Sequence, residues 1–91
     1  DVTLKSLVYN IFANYYLEIN KNDKAIEYYK KAINTSDIDN HVFQFKLNLL
    51  YLYYELGNFK EYENLLSDVN IEDINSYQLK SKYEELNGRL N

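Results

Sequence analysis

No proline occurs anywhere in this chain, and its two glycines stand at 57 and 88. Proline and glycine are the strongest interrupters of regular structure, so a sequence nearly free of both can run in long helices. Its apolar residues recur three and four positions apart rather than alternating, which is the helical period. The expected fold is all-α, with about five helices. Thr3 is placed to cap a first helix whose apolar residues are Leu4, Leu7, Val8, Ile11, Phe12, Tyr15, Tyr16 and Ile19, ended by NKND at 20–23. A second helix, capped by Asn22 or Asp23, runs to about Asn34 and buries Ala25, Ile26, Tyr29, Ala32 and Ile33. A third runs from about Asn40 to Leu56 and stops at Gly57, a natural left-handed C-terminal residue. Asn58 opens a fourth to about Val69, with Phe59, Tyr62, Leu65 and Leu66 inward, and Ser76 caps a fifth carrying Leu79, Tyr83, Leu86 and Leu90.

Composition removes whole classes of function. Without cysteine, and with His41 as the sole histidine, neither a disulfide nor a transition-metal site is expected, and no cofactor is implied. The usual nucleophilic and nucleotide-binding constellations are missing, so the chain does not read as an enzyme; His41 reads as an exposed residue near the start of the third helix. Residues 1–46 carry six lysines against six acids, and 47–91 four basic residues against eight acids, within a net charge of −4. That balance lacks the clustered positive footprint that nucleic-acid binding needs. No apolar run approaches a membrane span, and the start DVTLKSLVYN lacks the plan of a signal peptide, so a cytoplasmic location is expected. A chain that begins at Asp1 and contains no methionine reads as a piece of a longer protein.

The sequence also repeats. Laying EINKNDKAIEYYKKAI over ELGNFKEYENLLSDV sets Asn20 on Gly57 and Tyr16 on Tyr53, 37 positions apart. In the first unit Tyr9, Phe12, Ala13, Tyr16, Ala25, Tyr29 and Ala32 alternate large and small residues at fixed spacings. Antiparallel helices approach closely only where one presents a small residue to the other, and Ala13 and Ala25 are expected to form that contact, with Ala32 making room for the next helix. This pattern resembles the tetratricopeptide repeat, whose period is about 34 residues. The second unit departs from it: Lys46, Leu49, Leu50, Tyr53, Tyr62, Leu66 and Val69 stand at the matching places, so Leu50 and Tyr62 replace the small contact residues. The resemblance implies a single domain of antiparallel helix pairs stacked as a short right-handed superhelix. Its first repeat spans about 6–39, a degenerate second about 43–70, and a capping helix about 76–90.

Arrays of this family are binding scaffolds, and the resemblance implies a protein or extended-peptide partner held in a groove lined by the first helices of the repeats. Projection at about 100° per residue sets Asn10, Asn14, Leu17 and Glu18 opposite the packing set of the first helix, and Gln44, Leu47, Asn48, Tyr51, Tyr54 and Glu55 on the matching side of the third. Asparagine and glutamine offer a donor and an acceptor together, and tyrosine offers flat area with little entropy to lose. These properties suit an uncharged extended backbone. Replacing Asn14 and Asn48 is expected to weaken binding and leave stability alone. Some family members clamp a C-terminal carboxylate with two asparagines and nearby cations; Asn14 and Asn48 match the asparagine places, but Asn10 stands where a lysine belongs. An alternative within the family is the peptide-sensing regulatory domain of the bacterial pheromone receptors, which also grip peptide backbones with asparagines. Leu4, Val8, Ile11 and Tyr15 are left over once the first helix has packed, so either a preceding helix of the longer protein or self-association through the first helix is expected to cover them.

Overall fold

The computed structural model describes residues 1–70, 72 and 77–89. It is all-helical: α1 spans Val2–Glu18, α2 Asn22–Thr35, α3 Asp39–Glu55, α4 Phe59–Ser67 and α5 Tyr77–Arg89, with no strand among the described residues. The helix count matches the reading of the sequence, and the caps differ. Asp1, not Thr3, caps α1: its carboxylate accepts from the N–H groups of Thr3 (2.8 Å) and Leu4 (3.3 Å). Neither Asn22 nor Asp23 caps α2, which opens from Lys21, and Asn58 precedes α4 without a side-chain cap bond. The reason is conformational. Lys21 (φ −98°, ψ 72°) and Asn58 (φ −87°, ψ 69°) share a backbone shape outside the extended region from which a side chain reaches the first free N–H groups. The cap expected at Ser76 lies outside the described residues.

Those matching dihedrals belong to two turns that agree bond for bond. After α1, the N–H of Asn20 donates to Leu17 O (3.1 Å) and that of Lys21 to Tyr16 O (2.9 Å); after α3, Gly57 donates to Tyr54 O (3.1 Å) and Asn58 to Tyr53 O (2.9 Å). This is the Schellman closure, which needs a left-handed residue at its corner. Asn20 (φ 61°) and Gly57 (φ 71°) supply it, the second being free of a Cβ penalty and the first tolerating it better than most residues. The next helix then starts at once, with Ala25 N–H on Lys21 O and Tyr62 N–H on Asn58 O, each 3.0 Å. Every bond in one turn has its counterpart 37 positions away. The α2–α3 connection is different: Ser36 is extended, and its hydroxyl oxygen accepts from Ile38 N–H at 3.2 Å.

The helices form a slab 19 Å in its thinnest dimension, about two helix diameters. α3 is its centre, contacting α2, α4 and α5 and linked to α1 by a side-chain hydrogen bond. Phe43, Phe45, Leu47, Leu49, Leu50, Leu52 and Tyr53 are all buried in it. α1 buries only Ser6 and Ala13, and the Ser6 hydroxyl satisfies itself by donating to Thr3 O at 2.8 Å. Ala13, Ala25 and Ala32 are fully buried, as the spacing predicts. Leu4, Leu7, Val8, Ile11, Phe12 and Tyr15 of α1 and Ile19 at its C-cap are exposed, and so is Phe59, which was expected inward. In α5, Leu86 is buried and accepts on its carbonyl from the buried Tyr62 hydroxyl (3.0 Å), while Tyr83 tilts against Phe43.

Candidate functional site

A row of side-chain amides crosses from α3 to α1. Gln44 and Asn48 are one helical turn apart on α3, and Gln44 Nε2 donates to Asn48 Oδ1 at 2.9 Å. Asn48 Nδ2 in turn donates to Asn10 Oδ1 on α1 at 3.1 Å. Asn10, Gln44 and Asn48 are half-buried, so each amide is partly shielded from water while keeping an open side. A side-chain amide offers two donors and two acceptor lone pairs, so these bonds fix orientation without exhausting capacity. Asn14 extends the row one turn further along α1. The rise between Asn10 and Asn14 is about 6 Å, near the roughly 6.6 Å that separates alternate residues of an extended chain.

Asn14 is held from behind. The hydroxyl of Tyr29, a buried residue of α2, donates to Asn14 Oδ1 at 2.6 Å. Burial pushes the Tyr29 hydroxyl above its ordinary pKa by disfavouring the phenolate, so it keeps the proton that it donates. Sequence reasoning assigned Tyr29 to packing alone. The available signal was tyrosine rather than phenylalanine at a core position, because a buried phenol oxygen needs a partner. The same bond corrects the expectation that Asn14 can be removed without loss of stability, since its removal strands a buried donor.

The remaining expected groove residues divide. Tyr51 is half-buried on the side of α3 that carries Gln44 and Asn48. Tyr54 is turned toward α4, its ring edge-on to Phe59 at 5.8 Å and tilted against Tyr62 at 5.9 Å. Leu47, projected onto the groove side, is fully buried. Both misplacements have one cause: α3 is covered on nearly every side, so its sequence has no polar face from which to fix the projection. Leu17 and Glu18 are exposed near the end of α1, and no hydrogen bond joins their side chains to the amide row among the described residues. No lysine or arginine takes part in the hydrogen bonds of the row; Lys46, between Gln44 and Asn48 in sequence, donates instead to Asp68 O at 3.3 Å.

Elsewhere the surface offers less. A cleft of about 390 Å³ between α2, α3 and α4 is lined by Lys30, Ile33, Tyr53, Glu61 and Asn64 among others, and shares no residue with the amide row. His41, expected exposed, is half-buried against Phe45, and its Nδ1 and the neighbouring Asn40 Oδ1 have no hydrogen-bond partner among the described residues. The described residues contain no cluster of His, Asp or Glu that could hold a metal ion, and no helix long and apolar enough to cross a membrane. Set against protein-family models, curated proteins and solved structures, the chain gives no significant match in any of the three.

Proposed function

We propose that this chain is a binding scaffold of tetratricopeptide type, in which α1 and α3 line a surface for an extended peptide or an extended segment of a partner protein. The observation that carries the reading is the bonded row Gln44–Asn48–Asn10, which joins the two helices and holds neutral amides in fixed orientations. Preorganised amides lose little freedom when they bind, and each can pair with a peptide group. Asn14, positioned by Tyr29, adds a further amide at the spacing of an extended backbone. The small buried contacts Ala13, Ala25 and Ala32 and the twin turns at Asn20 and Gly57 support the repeat architecture in which first helices share one surface. With neutral amides and no cation in the row, the ligand recognised is a backbone rather than a terminal carboxylate.

The test is to select binders from a displayed library of random linear peptides and to measure their affinity by titration calorimetry. Gln44→Ala combined with Asn48→Ala is expected to weaken binding by about 1 to 3 kcal/mol, because peptide groups lose buried hydrogen bonds. Selected peptides that bind the double variant as tightly as the parent would remove the amide row from the site.

A further inference from the structure

The outer side of α1 is apolar and uncovered. At about 100° per residue, Leu4, Val8, Ile11, Phe12, Tyr15 and Ile19 fall on one side of the helix, turned away from the buried Ala13. Leu4 is 63% exposed, Ile11 62% and Tyr15 55%. One unit later the matching side of the fold is closed. At the offset set by the twin turns, Val8, Phe12 and Tyr15 correspond to Phe45, Leu49 and Leu52, which are 2%, 1% and 5% exposed. Asn48, on that same side of α3, bonds to α1. The position in the fold is thus one that helices cover; on α1 only Phe12 at its edge is partly covered, its ring edge-on to Tyr28 of α2 at 5.5 Å, and no helix among the described residues lies over the rest.

We infer that a second copy of this chain covers it, α1 against α1, antiparallel about a two-fold axis. The stripe is a palindrome by residue kind. Counted inward from its two ends, Leu4 corresponds to Ile19, Val8 to Tyr15 and Ile11 to Phe12. Lys5 and Glu18, the charged residues of α1, correspond to one another and are both exposed. In an antiparallel pair each apolar level therefore meets an apolar level, and each end of the contact holds one lysine and one glutamate. A parallel pair sets lysine level with lysine and glutamate with glutamate, and also aligns the helix dipoles unfavourably. A head-to-tail stack finds no counterpart, because α5 exposes Gln78, Ser81, Lys82 and Glu85. From the exposed fractions, the six apolar side chains offer on the order of 600 Å² per copy, at the lower end of what specific dimers bury.

Sedimentation equilibrium of the whole chain, over a concentration series reaching the millimolar range, tests this. A reversible dimer is expected, and Ile11→Glu should weaken it at least about tenfold by setting a charge in the centre of the contact. Lys5→Glu and Glu18→Lys should each weaken it about threefold, and the double exchange should restore it, since rim charges set register and sense. Circular dichroism of each variant confirms that the helices are retained; all three positions are exposed. A chain that stays monomeric throughout the series, or a dimer indifferent to Ile11→Glu, would overturn the inference and leave the face to a different helical partner. Failure of the double exchange to recover association would overturn the antiparallel sense.

Discussion

Position 13 is alanine and its counterpart 50 is leucine; position 25 is alanine and its counterpart 62 is tyrosine; all four are fully buried. The two helix pairs that contain them leave and enter their turns through the same hydrogen bonds. Their packing nevertheless differs. α1 and α2 meet along most of their length, whereas α4 is nine residues long and meets α3 over a much smaller contact. The backbone turn decides that two helices fold back on one another, and the side chain at the crossing decides how far apart they lie. In the second pair, Tyr62 reaches a third helix and donates to the carbonyl of Leu86. A helix pair with a large residue at its contact can thus gain a tie to a third helix.

Exchanging the contact residues should break the comparison most sharply. Leu50→Ala should destabilise the fold by about 2 to 5 kcal/mol in chemical unfolding, because α3 is packed on all sides and the cavity cannot collapse. Ala13→Leu should cost about 1 to 3 kcal/mol by overpacking a fully buried position. If Ala13→Leu leaves the unfolding midpoint unchanged, the tight contact is elsewhere. The turns come next in size. Gly57→Ala places a Cβ in open space at a left-handed residue, so its cost should be purely conformational, about 1 to 2 kcal/mol. Asn20→Gly should gain up to about 1 kcal/mol at the matching corner; a loss there would mean that the Asn20 side chain does something that its turn does not require.

An effect of similar size to that at Asn20 concerns the layer behind the amide row. Because burial raises the Tyr29 pKa, the folded chain holds a proton that the unfolded chain releases near about pH 10. The associated stability is whole below that pH and is lost as pH climbs through the folded value. Tyr29→Phe should flatten this alkaline decline and cost about 0.5 to 1.5 kcal/mol at neutral pH. An unchanged alkaline slope would place the proton elsewhere.

Much of this could be read before any coordinates. With no proline to divide the chain, the polar knots at NKND and GN and the periodic apolar residues mark the helices, and the small residues at 13, 25 and 32 mark fully buried positions. The 37-position match of Asn20 with Gly57 anticipated the shared left-handed corners. The facing of α3 was not legible, because Leu47 and Tyr54 differ little in kind from the residues around them and only neighbours in space decide which is covered. Nor was the bond from Tyr29 to Asn14, which joins residues on different helices through a hydroxyl that no periodicity detects.

The slab places α3 at its centre and α1 at its edge, and that asymmetry sorts the amide row by durability. Gln44 and Asn48 sit on the helix with the most buried residues, while Asn10 and Asn14 sit on one whose buried residues are Ser6 and Ala13. Local opening begins where the fewest apolar contacts must be surrendered. α1 buries two residues where α3 buries seven, so the backbone amides of α1 should exchange with deuterium before those of α3. In the peptide-binding reading proposed above, half of the amide row stands on the less protected helix, so a bound peptide that bridges α1 and α3 should slow exchange more in α1 than in α3.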